Sequence, residues 1–313
     1  MRPLRLVPDG TAIRFMNGRF AGLIVSAVLS VASVVLFFVP GLNYSIDFKG
    51  GVVVEFRTAS PVAPAEIRHV LEPLHLGDIR VQTFGSPRDL LIRLEPLAER
   101  TDTQQNIRRA LLQGFPGGDI RRMEVVGGKV SAEMFRDSLL ATSLALLAIL
   151  AYVWFRFDWQ FGVGVVATLL LDATKTVGFF AVTQIPFDLN SVAALLILIG
   201  YSVTDKVVVY DRIRENLRKF RRMPLRELID LSINQTLSRT VATSLTVLLS
   251  ILPLAFMGGE SVQGFATTIV FGIVVGTSSS IFIASPILLF LGGDRLHRQA
   301  AGAEGAPAGA TSP

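Results

Sequence analysis

Six long apolar runs, separated by polar stretches of very different lengths, set the frame of this chain. They cover residues 20–40, 138–155, 161–182, 191–210, 237–257 and 265–291. Each comes close to the ~20 residues needed to cross a hydrocarbon core of ~30 Å, so six transmembrane helices are predicted. The first run follows Arg2, Arg5, Arg14 and Arg19 and ends at Pro40-Gly41. It is longer than the ~7–15 residues of a signal-peptide core and has no small-residue cleavage site, so it reads as an uncleaved membrane helix.

Between the first and second runs, residues 41–137 change to the composition of a soluble domain. Val52-Val-Val-Glu-Phe56 is a β-branched strand after the Gly50-Gly51 turn. Pro64 opens a helix carrying Ile67, Val70 and Leu71 at helical spacing. Strands at 79–84 and 90–94 follow, then a helix from Thr103 to Leu112 with Ile107, Leu111 and Leu112 facing inward, and a strand at 120–126. The order βαββαβ is the ferredoxin-like pattern. The expected fold is therefore an α-helical integral membrane protein of six helices, with an α+β ferredoxin-like external domain between helices 1 and 2. Residues 1–19 form a short N-terminal segment, and the Ala/Gly/Pro-rich residues 292–313 a disordered tail.

Composition supports this division. Of the 313 residues, 50% are hydrophobic and only 18% charged, against roughly 25% charged in soluble domains. The net charge of +5 could suggest nucleic acid, but the basic residues stand beside apolar runs, as membrane topology requires, and no nucleic-acid partner is expected. The connection after the fourth run carries Arg212, Arg214, Arg218, Lys219, Arg221, Arg222 and Arg226, whereas residues 184–190 and 258–264 carry no Lys or Arg. Positive charge on the inner side places both termini in the cytoplasm and residues 41–137 across the membrane, in the periplasm.

Charges inside the runs carry the candidate chemistry. Asp172 and Lys175 lie in the third run, Asp205 and Lys206 in the fourth, and Arg239 near the start of the fifth. A charge at helix-centre depth costs about 2.5–3.5 kcal/mol on insertion scales, and a short Asp cannot snorkel out, so each needs a partner or a proton. One reading of Asp205 is a structural ion pair with Lys206 or Lys175; the other is a proton relay. Arg239, within about two turns of the cytoplasmic surface, is either a snorkelling arginine or the counter-charge of that relay. Asp211 to Glu215 are expected to anchor the helix at its cytoplasmic rim. His69, His75 and His297 are the three histidines and none lies in a run, so a relay depends on the aspartates. The hydroxyls Thr236, Ser238, Thr240, Thr243, Ser244 and Thr246 suit helix contact or a polar lumen, and Gly272-x-x-x-Gly276 suits close packing. There is no cysteine, no phosphate-binding Gly-x-x-x-x-Gly-Lys-Ser/Thr loop, no His-Glu-x-x-His and no Gly-x-Ser-x-Gly. Neither an enzyme nor a cofactor or metal site is expected.

Gly200-Tyr-Ser-Val-Thr-Asp-Lys-Val-Val-Val-Tyr-Asp-Arg-Ile-Arg-Glu-Asn216 resembles the fourth-helix signature of the SecD/SecF family of bacterial protein-export membrane proteins, on its SecF side. Ile13-x-Phe-Met16, Tyr44-Ser-Ile-Asp-Phe-Lys-Gly-Gly51 and Ser232-Ile-Asn-Gln-Thr-Leu-Ser-Arg-Thr240 are similar to that family's sequences before the first helix, before the external domain and at the start of the fifth helix. The resemblance implies an auxiliary subunit of the Sec translocase in the inner membrane. It implies pairing with SecD, association with the SecYEG channel and YajC, and use of the proton motive force to complete export of preproteins pushed by SecA. It places the family's ion-coupling Asp on Asp205 and its Arg on Arg239, with Asp172 as the third-helix Asp. The chain departs from the family's commonest pattern at Lys206, where Thr is usual, and at Thr204, where Asn is usual. Lys175 is a further unusual charge. An ammonium beside the Asp favours protons over Na⁺ as the coupling ion. Rival readings are half of a resistance–nodulation–division exporter and a scaffold subunit whose charges only hold helices together.

Overall fold

The computed structural model describes residues 8, 11–77, 79–94, 103–258 and 260–291. The tail expected at 292–313, with His297, and most of the first ten residues lie outside them. The chain divides into two units, one of residues 1–43, 142–185 and 190–313, the other of residues 44–141 and 186–189.

The first unit is built from long helices: α1 (Arg19–Phe38), α5 (Gly128–Arg156, which starts in the second unit), α6 (Trp159–Thr183), α7 (Leu189–Lys219), α8 (Leu225–Met257) and α9 (Glu260–Ser279). α9 passes through a π turn, Ser280–Ala284, and helix resumes to Leu291. Six of the described helices are long and apolar enough to cross a membrane. The burial of α1 is inverted relative to a helix of a soluble bundle. The buried residues of α1 are Ser26, Ser30 and Ser33, while Val28, Leu29, Val31 and Val35 are exposed. Small residues let helix backbones approach where lipid offers no hydrophobic drive for association. A Cβ at Gly178 of α6 would stand 2.1 Å from the Ser33 hydroxyl, so α1 and α6 meet at nearly backbone distance.

Two helices run well beyond their apolar stretches. α7 continues past Tyr210 because Ile213, Asn216 and Leu217 keep an inward stripe at helical spacing. They face the first turns of α8, where Leu228, Ile229 and Ser232 are buried and Asn216 Nδ2 donates to Ser232 Oγ at 2.9 Å.

The second unit contains β1 (Gly51–Arg57), α3 (Pro64–Leu71), β2 (Ile79–Phe84), β3 (Ser86–Leu94), α4 (Thr103–Gly114) and β4 (Asp119–Val126), preceded by the single turn α2 (Ile46–Lys49). The strands form an antiparallel sheet in the order β2-β3-β1-β4. Alternation turns Val52, Val54 and Phe56 of β1 and Leu90, Ile92 and Leu94 of β3 onto Ile67, Leu71, Ile107 and Leu111 of the two helices. Leu112, expected inward, is 40% exposed. One residue on from Leu111, it is turned about 100° away from the sheet.

The Gly-Gly pair has a steric reason. Gly51 has φ +123°, and a Cβ there would stand 2.3 Å from the Leu94 carbonyl oxygen. Gly51→Ala is expected to destabilise this unit by about 1–3 kcal/mol through backbone strain. Limited proteolysis of the full chain should then cut faster within 44–141 while the span fragments persist; unchanged cleavage would contradict the steric reading.

At the far end of β1, Arg57 Nε and Nη2 donate to Asp89 Oδ1 and Oδ2 at 2.6 and 2.7 Å across the β1–β3 ladder. These hydrogen bonds hold the Asp89 carboxyl below the usual carboxylate range. A folded-state pKa below the unfolded one means stability that is present above pH ~4 and lost as pH falls through the folded value. The stability gap between the parent and Asp89→Asn, measured by thermal unfolding, is expected to close below pH ~4; a gap that does not change with pH rejects the ion pair as its source. Because Arg57 is 44% exposed, the gap is small.

Candidate functional site

α7 sorts its polar residues onto two faces. Ser202 and Lys206 are one turn apart and turn toward α6 and α9; Tyr201 and Asp205, also one turn apart, turn toward α8. Adjacent residues on a helix point about 100° apart. Asp205 and Lys206, neighbours in sequence, thus serve different partners.

The first face holds a dense charge network. Asp172 Oδ2 on α6 accepts from Lys206 Nζ at 2.9 Å, Ser202 Oγ at 2.8 Å and Ser279 Oγ at 2.6 Å. Its Oδ1 accepts from Lys175 Nζ at 3.4 Å. Lys206, 0% exposed, also donates to Ser202 Oγ, to Ser279 Oγ at 2.9 Å and to the Ser202 carbonyl at 3.4 Å. Its ammonium thus sits in a cage of carboxylate, hydroxyl and carbonyl oxygens. Convergent donors around a buried carboxylate are what make such a charge tolerable.

α9 reaches this network because it lacks side chains where it passes α7. A Cβ at Gly272 would stand 2.2 Å from Leu198 Cδ1, and one at Gly276 3.4 Å from Ser202 Oγ. Ser279 lies one residue before the π turn, where Ser285 Oγ donates to the Ser280 carbonyl and Tyr210 Oη to the Ala284 carbonyl at 2.8 Å. Such turns recur at functional sites because they re-aim side chains within a helix.

The second face is sparse. Asp205 Oδ1 accepts from Thr240 Oγ1 on α8 at 2.9 Å. Asp205 is 7% exposed, and its Oδ2 is buried with no hydrogen-bond partner. One turn away, Tyr201 Oη donates to Ser244 Oγ at 2.7 Å, and Ser244 meets Thr277 Oγ1 of α9 at 2.9 Å. Of the six hydroxyls singled out on α8, Thr240 and Ser244 bridge helices; Thr236, Thr243 and Thr246 bond back to their own helix.

One of the two readings of Asp205, the ion pair with a lysine, is excluded, and the counter-charge expected of Arg239 is corrected. Lys206 and Lys175 pair with Asp172, not with Asp205. Arg239 is exposed and forms no ion pair with Asp205. The reason is angular: Thr240 faces Asp205, so Arg239, its neighbour, points about 100° away. The predicted residues Asp172, Lys175 and Lys206 are brought together, Asp205 lies on the neighbouring face of α7, and Arg239 stays outside. Thr240, one of the hydroxyls singled out for helix contact, completes the site together with Ser202 and Ser279, which were not picked out. Ser202 was legible as the residue one turn before Lys206; nothing in the Ser278-Ser279-Ser280 run distinguishes Ser279.

Comparison with known proteins gives a consistent result. Residues 109–294 match the family described as "Protein export membrane protein SecD/SecF, C-terminal", and residues 35–62 match the "SecD/SecF GG Motif", which includes Gly50 and Gly51. Protein translocase subunit SecF of Rickettsia felis is 39% identical over 300 residues, covering 95% of this chain and 97% of that protein. The SecF subunit of Rhodobacter capsulatus is 40% identical over 308 residues, covering 93% and 92%. The crystal structure of SecDF from Thermus thermophilus, a translocon-associated membrane protein, matches with a TM-score of 0.83 and 35% identity over 92% of this chain. SecDF in a super-membrane-facing form matches with a TM-score of 0.68 and 35% identity over 98% of it. This chain spans only 40% and 42% of those two SecDF chains.

Proposed function

The chain belongs to the SecD/SecF family of protein-export membrane proteins, a multi-pass membrane family, and on that premise we propose that it is a Sec translocase subunit of the inner membrane coupling the proton motive force to late preprotein translocation. SecD is its proposed partner, in keeping with the SecDF chains of which this chain spans the lesser part. SecYEG, YajC and SecA-driven preproteins complete the proposed assembly. Both termini are cytoplasmic in this reading, and residues 41–137 form a periplasmic, ferredoxin-like domain, supported by strand order β2-β3-β1-β4 with α3 and α4 on the sheet.

Asp205 is the proposed proton site. The observation that carries this is its Oδ2: buried and unpartnered, beside an Asp172 whose two oxygens are both engaged. A buried carboxyl oxygen with no donor is the atom free to take a proton, and one hydroxyl contact leaves the side chain free to change partners. Rotation of α8 by one residue would exchange Thr240 for Arg239 against Asp205, replacing a neutral donor by a cation. Arg239 enters the proposal in that role. Asp172, Lys175 and Lys206 form the fixed half of the site. The Lys206 ammonium already occupies the position that an alkali cation would take among those oxygens, which supports protons rather than Na⁺.

The exporter reading is less well supported, because the unit of residues 44–141 is small for a pump's external domain. A scaffold role suits Asp172, with four donors, better than Asp205 with one. The test is export of a reporter preprotein by cells that depend on this chain, with the gradient intact and collapsed by an uncoupler. Export that ignores the uncoupler overturns the proposal.

A further inference from the structure

At the end of the bundle where α5 stops and α7 runs past its apolar stretch, an open groove of about 530 Å³ is lined by Arg156, Asp211, Arg214, Glu215, Arg218 and Lys219. Its charges do not cancel. Arg156 Nη2 holds both oxygens of Asp211 at 2.8 and 2.7 Å. Glu215 accepts from Arg212 at 2.7 Å, and Arg214 approaches Asp158 at 3.8 Å. Both acids of the lining are thus already engaged. Arg218 and Lys219 are exposed and have no acidic partner among the described residues. The half charge of the α7 C-terminus offsets part of one of these cations, leaving the groove more than one charge positive.

The groove's surroundings are equally specific. Trp154, Phe155 and Trp159, on either side of Arg156, are 68%, 88% and 46% exposed. Aromatic rings of this kind settle at headgroup depth, with acyl chains beyond them. Snorkelling alone accounts for cations at the end of a span; it does not account for a groove whose acids are neutralised, whose remaining cations have no acidic partner among the described residues, and which lies at the depth of exposed indoles.

We infer that this groove binds the headgroup of an anionic phospholipid, its phosphodiester received by Arg218 and Lys219 at the depth that Trp154, Phe155 and Trp159 mark. A guanidinium fork beside an ammonium is well matched to a phosphate, and basic pockets between membrane helices on the cytoplasmic side take such headgroups.

Trp154 and Trp159 are the two tryptophans of the chain and both stand within three residues of Arg156, so intrinsic fluorescence reports on lipid gathered at this end of the bundle. The full chain is reconstituted into phosphatidylcholine vesicles containing equal fractions of either acyl-brominated phosphatidylglycerol or acyl-brominated phosphatidylcholine. Brominated phosphatidylglycerol is expected to quench more strongly. Arg218→Ala/Lys219→Ala, two exposed substitutions, is expected to lower that preference about twenty-five-fold, at roughly fivefold per cation. Arg108→Ala/Arg109→Ala on α4, with the same change in net charge, is expected to keep it. Equal quenching by the two lipids, or equal loss in both double variants, overturns the proposal. Reversal of the preference by excess inorganic phosphate also overturns it, assigning the groove to a free anion instead of a lipid.

Discussion

Lys206→Met is expected to lower the stability of the folded chain by about 3–5 kcal/mol, the usual cost of removing one partner from a buried ion pair. The ammonium is completely buried and meets Asp172 Oδ2, two serine hydroxyls and a carbonyl. Methionine fills a similar volume but donates nothing. Asp172 would keep Lys175 at 3.4 Å and the two hydroxyls, too little for a carboxylate shielded from water. The double variant Asp172→Asn/Lys206→Met removes the stranded carboxylate but leaves the buried Lys175 ammonium without its acid, so it is expected to recover only part of the loss. Thermal midpoints in detergent, with the amount of membrane-inserted protein as a second readout, measure all three variants. Additive losses, with no recovery in the double variant, would show that the pair does not act as a unit.

Asp205→Asn is expected to abolish the gradient-dependent part of preprotein export, leaving the rate seen with the gradient collapsed, while the folded protein remains in the membrane at normal levels. The asymmetry of its contacts gives the reason. Thr240 Oγ1 can donate to the amide oxygen as it does to Oδ1, so the α7–α8 contact survives, and the amide NH₂ replaces an oxygen that has no partner to lose. What disappears is the ability to bind and release a proton. Export rates with and without uncoupler, compared at equal protein levels, decide the matter. If Asp205→Asn instead depletes the assembled complex and leaves the uncoupler response of the remainder intact, Asp205 is a strut and the scaffold reading takes its place.

The two variants probe residues adjacent in sequence and are expected to fail in opposite ways, one in stability and one in coupling. One sequence reading paired Asp205 with Lys206 or Lys175. Helical geometry separates them: residues one apart diverge by about 100° and residues four apart align. Lys206 therefore works with Ser202 toward Asp172, and Asp205 with Tyr201 toward α8. The same geometry explains the Arg239 expectation, which identified the correct stretch of α8 one residue from the side chain that makes the contact.

The sequence alone determined the six apolar helices, the place of the βαββαβ segment between the first two, the charges that had to be accounted for inside the bundle, and the family resemblance. These are local quantities: span length, periodicity, turn residues and the cost of a charge in hydrocarbon are each written in consecutive residues. The tertiary structure alone decided which charge meets which. Asp172, Lys206 and Ser279 come from three helices, and their meeting depends on the close passage of α9 at Gly272 and Gly276 and on the phase of α9 as it enters its π turn. A hydrogen bond between helices depends on axial rotation and approach distance, and one residue of phase is enough to exchange Arg239 for Thr240.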